Sequence, residues 1–151
     1  MDQGQARQRV LDYLTAFYAG DTSRAQDCCD DEIDSITYAP VELFPNLGHK
    51  HGKAWVAEAI RIQQERYLNR RSEIDFIAVD GLKVATTQRV FMQKRNDARL
   101  IQIDVAEFFT LHAGRIITHR LFFDSFTLIE QLLGRDLTEA FADAVQGATR
   151  P

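Results

Sequence analysis

Residues 5–19, QARQRVLDYLTAFYA, place Ala6, Val10, Tyr13, Leu14 and Phe17 on one side of a 3.6-residue repeat, which predicts an amphipathic helix. Gly20 stops it, and Asp21 or Thr22 can cap a short second helix running to Cys28. EIDSITY (32–38) reads as a strand, and the stretch after it, punctuated by Pro40, Pro45, Gly48 and Gly52, as a long loop. KAWVAEAIRIQQERYL (53–68) returns to helical spacing, with Trp55, Ala59, Ile62 and Arg66 near one face and Val56, Ile60 and Tyr67 widening it.

The second half changes period. EIDFIAV, LKVATTQRVFMQ, RLIQIDVAEFFTL and RIITHRLFFDSF are strand-like segments joined by DG, KRNDA and HAG, connections short enough for hairpins. Four such strands make an antiparallel meander, and TLIEQLLG and DLTEAFADAVQ follow as two short helices. Helices first and a sheet afterwards predict an α+β class in one domain spanning 1–151.

Alternation then sorts the strands into faces. In 100–111 the odd positions are Ile101, Ile103, Val105, Glu107, Phe109 and Leu111, and the even ones Leu100, Gln102, Asp104, Ala106, Phe108 and Thr110. Both sets are apolar enough to be covered, one by helices and the other by a second subunit, so a homodimer is expected. A turn at Asn96-Asp97 puts Arg89 opposite Asp104. One face would then gather Arg89, Asp104, Asp124 and Arg120 among Phe91, Phe108 and Phe122. The other would hold Glu107 and His119 as near neighbours in an apolar surface.

Composition narrows the class. The 151 residues are 45% apolar and 26% charged, ordinary for a soluble globular protein, and the net charge of −4 argues against nucleic-acid and membrane partners. Arg66, Arg70 and Arg71 read as a solvated helix end. No apolar run is long enough for a membrane span, and MDQGQARQRV is too polar for a signal peptide. With two adjacent cysteines, Cys28 and Cys29, that read as reduced thiols, a cytoplasmic location is expected. His49 and His51 are two apart with no third ligand in view and read as a turn before a helix, so no metal is expected. No phosphate-binding loop, nucleophile motif or cofactor motif is present in the chain.

YLTAFYAGD (13–21), HGKAWVAEAI (51–60), and GRIITHRLFFD (114–124) followed by LIEQLLG resemble the NTF2-like superfamily of SnoaL type, over nearly the whole chain. That group includes ketosteroid isomerases, polyketide cyclases and limonene-type epoxide hydrolases. The resemblance implies a cone of curved antiparallel sheet packed against N-terminal helices. Tyr13 stands where the isomerases place an oxyanion tyrosine, while their carboxylates fall at Ala106 and near Ile36 or Tyr38. Asp124 matches the acid/base aspartate of the cyclases, and Arg89 resembles the arginine of the epoxide hydrolases. Their second aspartate falls at Phe91, and Asp104 on the next strand is a substitute carboxylate.

These readings combine into an expected site of Asp124 as acid/base, Arg89 as its orienting partner, Asp104 as second carboxylate and Tyr13 as hydrogen-bond donor. The expected ligand is a small hydrophobic molecule, turned over without a cofactor by isomerisation, cyclisation or epoxide opening. The rival expectation is a non-catalytic ligand-binding or dimerisation module on the same scaffold.

Overall fold

The computed structural model describes residues 1–151. The first helix, α1 (Gln3–Ala19), begins with a capping box. Asp2 accepts from the Gln5 backbone N–H, and the Asp2 N–H donates to the Gln5 side chain, so two otherwise unpaired amides are satisfied. Gly20 ends the helix at φ 76°, a left-handed conformation that costs glycine little, and Asp21 caps α2 (Thr22–Asp27).

After β1 (Cys29–Tyr38), β2 (Gly48–His51) and α3 (Ala54–Arg66) come the four meander strands. These are β3 (Tyr67–Asp80), β4 (Lys83–Lys94), β5 (Leu100–His112) and β6 (Arg115–Phe123), each antiparallel to the next. β1 pairs in parallel with β6 and antiparallel with β2, giving the order β2-β1-β6-β5-β4-β3 in a curved sheet whose edges do not meet. The chain closes with α4 (Ser125–Leu133) and α5 (Thr138–Thr149).

Three boundaries differ from the sequence reading, each for a local reason. β1 starts at Cys29, because Cys29 packs in the core and pairs with Ile116 of β6 before the polar Asp30–Glu32 stretch. β2 lies inside the expected loop; GHKH has no apolar alternation, and its ladder to β1 is an edge pairing that leaves polar side chains in water. β3 begins directly where α3 ends, with a bulge around Asn69 (φ 51°) that lets the polar YLNRR segment join β4.

Alternation holds along β4 and β5. Val84, Thr86, Gln88, Val90 and Met92 of β4 and Ile101, Val105, Glu107, Phe109 and Leu111 of β5 are all buried on the concave face. α1 and α3 pack against that face, and α4 closes over β5. Two apolar clusters result. One joins α1, α2, β1 and α3 to Val84, Phe109, Leu111 and Ile116; the other joins Val90, Met92, Ile101 and Val105 to Leu128 of α4. The convex face is open. Tyr38, Phe108 and Phe122 are exposed there, with Tyr38 stacked on Phe122 at 4.3 Å and Phe108 edge-on to Phe122 at 5.8 Å.

Candidate active site

Between the two apolar clusters lies a cavity of about 170 Å³, walled by α1, α3, α4 and the inner face of the sheet. Its wall is mostly aliphatic and aromatic, as small-molecule sites usually are. Three of its side chains belong to charged types: Glu107, His119 and Arg66.

Glu107 and His119 face inward from neighbouring strands. Glu107 is opposite Leu121, and His119 is opposite Phe109, so the two side chains meet on the diagonal. Nε2 of His119 lies 2.6 Å from Oε2 of Glu107, with Glu107 2% and His119 7% exposed. The other carboxylate oxygen accepts from Gln88 Nε2 at 3.0 Å, and Ser72 Oγ donates to Gln88 Oε1 at 2.6 Å. A buried carboxylate is tolerable because each oxygen has a donor. The same arrangement orients the imidazole. With Nε2–H pointed at Glu107, Nδ1 is left as the basic nitrogen. Nδ1 makes no hydrogen bond to protein, yet no buried side-chain nitrogen or oxygen lacks a partner, so Nδ1 keeps access to open space beside the cavity.

Tyr13 reaches the same place from α1. Its ring sits edge-on to Phe109 at 5.9 Å and 6.2 Å from the His119 ring. Burial first, then the nearby Cys29 and Glu107, holds its phenol well above the ordinary value, so it stays a neutral donor. Tyr18, also lining the cavity, is raised by burial and by Glu107 as well. Neither hydroxyl is bonded to a protein acceptor. Ser35 of β1 sits beside His119 in the parallel ladder and completes the polar end.

Of the expected site, Tyr13 lines the cavity, but the other three residues are elsewhere. Arg89 does pair with Asp104 in the register that the turn implied, Nε to Oδ1 at 3.4 Å. The pair is on the convex face, however, with the side chains 50% and 80% exposed. Asp124 is a helix cap: Oδ1 accepts from the Thr127 N–H at 3.1 Å and Oδ2 from the Thr127 hydroxyl at 2.6 Å. Arg120 turns to Asp34 of β1, Nη2 to Oδ2 at 2.8 Å. Arg89, Asp104 and Asp124 are therefore not gathered at the cavity, and the charged-type pair that faces it is Glu107 and His119. The physical reason is the hand of the sheet's curvature, which puts the odd positions of β5 inside. One clue lay in the sequence: Glu107 is the only charged member of an otherwise apolar odd set, and such a carboxylate needs a partner.

Removing the Asp124 cap gives the first prediction. Asp124→Ala should cost about 1 kcal/mol in chemical denaturation at neutral pH. The Thr127 hydroxyl and amide hold the Asp124 carboxyl below its ordinary value. A lowered folded-state value means that the contribution is present above the unfolded-state value, about 3.9, and fades as pH falls through the folded one. The difference between wild type and Asp124→Ala should therefore shrink on going from neutral pH toward pH 2–3. An equal difference at both would show that the carboxylate is not the cap.

The remaining candidates have structural surroundings. His49 and His51 form β2 rather than a turn; His49 faces Asp34, and His51 Nε2 lies 2.7 Å from Glu32. Cys28 and Cys29 are buried, and burial pushes the Cys29 thiol up to about 12. No helix is long and apolar enough to cross a membrane.

The model of the SnoaL-like domain matches residues 10–119, which contain the first helix from Val10 onward, α3 and both members of the Glu107–His119 pair. The chain belongs to the SnoaL-like domain family. Solved structures agree with that assignment. A proposed isomerase from Rhodopseudomonas palustris is 27% identical over 86% of this chain and 97% of its own, with a TM-score of 0.76. An epoxide hydrolase from M. tuberculosis, of the LEH-like kind, is 21% identical over 93% and 98%, at 0.70. A proposed SnoaL-like polyketide cyclase from Jannaschia sp. is 13% identical over 89% and 95%, at 0.76. No curated protein is significantly similar in sequence. This SnoaL-like chain thus has the NTF2-like fold that its motifs implied, on a scaffold whose relatives carry different activities.

Proposed function

We propose that this SnoaL-like protein is an enzyme that moves a proton on a small hydrophobic molecule, with His119 as general base and Glu107 as the group that orients it. The observation that carries this reading is the buried Glu107–His119 pair at the polar end of an otherwise apolar cavity. The imidazole Nδ1 removes a proton from a C–H bond next to a carbonyl. The imidazolium then formed donates Nε2–H to the Glu107 carboxylate, which stabilises the charge. The neutral phenol of Tyr13 can donate to the developing enolate oxygen. Return of the proton to another carbon is an isomerisation, and attack of the enolate carbon on a second carbonyl of the same molecule is a cyclisation.

This chemistry is favoured over epoxide opening, because the Arg89–Asp104 pair that resembles the hydrolase arrangement lies outside the cavity. The test is deuterium uptake from D₂O into a panel of small apolar ketones, followed by mass spectrometry. Uptake with wild type and none with His119→Gln supports the reading; identical uptake by both removes it.

We propose further that the protein acts as a homodimer through the convex face. Tyr38, Phe108 and Phe122 are exposed there among Arg89, Arg120 and Asp104, so the surface is apolar at its centre and bears both signs of charge. Sedimentation should give a dimer that Phe122→Glu converts to monomer. A monomeric wild type at micromolar concentration would dispose of the idea.

A further inference from the structure

We propose that the cavity takes a small apolar acid, with the carboxylate held by Arg66 at the mouth and the apolar body reaching in toward Glu107 and His119. The inference rests on the acid/base reading of that pair and adds to it the class of substrate.

Two of the three charged-type side chains on the cavity wall, Glu107 and His119, are already committed to one another. The third, Arg66, forms no ion pair. Its adjacent acid, Glu65, is taken by Arg61, and its single side-chain bond is a long one, 3.4 Å, to Oδ1 of Asn46. Asn46 is also on the cavity wall, so the guanidinium is held at the opening by a neutral group and keeps donors for an anion.

The two polar ends are well separated. β3 starts at Tyr67, directly after Arg66, and Tyr67 is paired with Lys94, beyond Met92 on β4. Going inward on β5 from Ile103, opposite Val90, to Glu107 takes four residues, roughly 13 Å at the usual rise of a strand. The wall between is apolar: Met92, Val90, Ile103, Val105, Phe123 and Leu128. The volume of about 170 Å³ is close to the ~150 Å³ of a cavity that admits benzene, so the cavity holds about one ring, joined to the carboxylate at the mouth by a short apolar chain.

Charge fixes the orientation. A carboxylate beside Glu107 would be repelled and stripped of water, whereas at the exposed mouth it stays hydrated and gains the arginine. An acid therefore enters with its ring first, and the carbon to be deprotonated lies on the apolar body, away from the carboxylate.

The probes are 4-phenylbutyrate and the neutral 4-phenylbutanol, which share one body. Trp55 is the single tryptophan and lines the cavity, so its fluorescence reports occupancy. At low salt, wild type should bind the acid about fivefold more tightly than the alcohol, as expected for one exposed charge pair. Added salt should erode the preference. Arg66→Gln should bring the ratio to about one, and Arg66→Lys should keep part of it. Equal binding of acid and alcohol by wild type, or a preference that persists in Arg66→Gln, overturns the anion site but leaves the cavity reading intact. No response of Trp55 to either probe overturns both.

Discussion

His119→Gln is expected to lower the rate of C–H proton abstraction in the cavity by about 10²- to 10⁴-fold while the melting temperature stays near that of wild type. A convenient reporter is 5-nitrobenzisoxazole. A base takes its ring C–H proton, the N–O bond breaks, and a coloured nitrile phenolate is released. Gln in place of His119 keeps a donor for Glu107 but supplies no base.

Two further variants separate the roles at the pair. Glu107→Gln retains an oxygen near Nε2 but loses the negative charge that balances the imidazolium, so the rate should fall without abolishing binding. Tyr13→Phe removes a neutral donor and should matter most for carbonyl substrates, in which charge develops on oxygen. Asp124→Asn serves as the control: it caps α4 outside the cavity and should leave the rate unchanged. If Asp124→Asn lost as much activity as His119→Gln, the chemistry would belong to the carboxylate at 124 and not to the pair.

Much of the framework behind this expectation was legible in the sequence, and particular residues show where legibility stopped. The spacing of Ala6, Val10, Tyr13 and Leu14 put them on the buried face of α1, and the Asn96-Asp97 turn fixed Arg89 opposite Asp104. Periodicity alone sorts side chains into two sets. It does not say which set is concave, because both sets on β5 contain phenylalanine and a carboxylate. That choice is made by contacts distant in sequence, with α1 and α3 lying on the face that carries Phe109 and Glu107.

Asp124 shows a different kind of ambiguity. A carboxylate after Leu121–Phe123 resembles a strand-end acid, but Ser125 to Leu133 is an apolar-rich helix, and an aspartate just before a helix is also its natural cap. Thr127, three residues on, was the local sign of the second role. β2 left no apolar trace at all, since an edge strand such as GHKH buries little and is held by backbone pairing to β1.

The largest effect on stability should also come from the Glu107–His119 pair. His119→Leu leaves a buried carboxylate with Gln88 as its remaining partner and should cost about 3–5 kcal/mol. Replacing both, as Glu107→Leu/His119→Leu, removes the charge along with its partner. Gln88 is not orphaned in that variant, because its Nε2 also donates to Thr86 Oγ1 at 3.0 Å and its Oε1 still accepts from Ser72. The double variant should therefore recover the loss and equal or exceed wild type, by up to about 4 kcal/mol, in urea denaturation. Such a result would mean that the fold is no better off with the pair than with leucines, and a polar pair that does not aid folding is more readily understood as chemistry facing a ligand. A double variant clearly less stable than wild type would instead make the pair a structural brace between β5 and β6, and the catalytic reading would lose its main physical support.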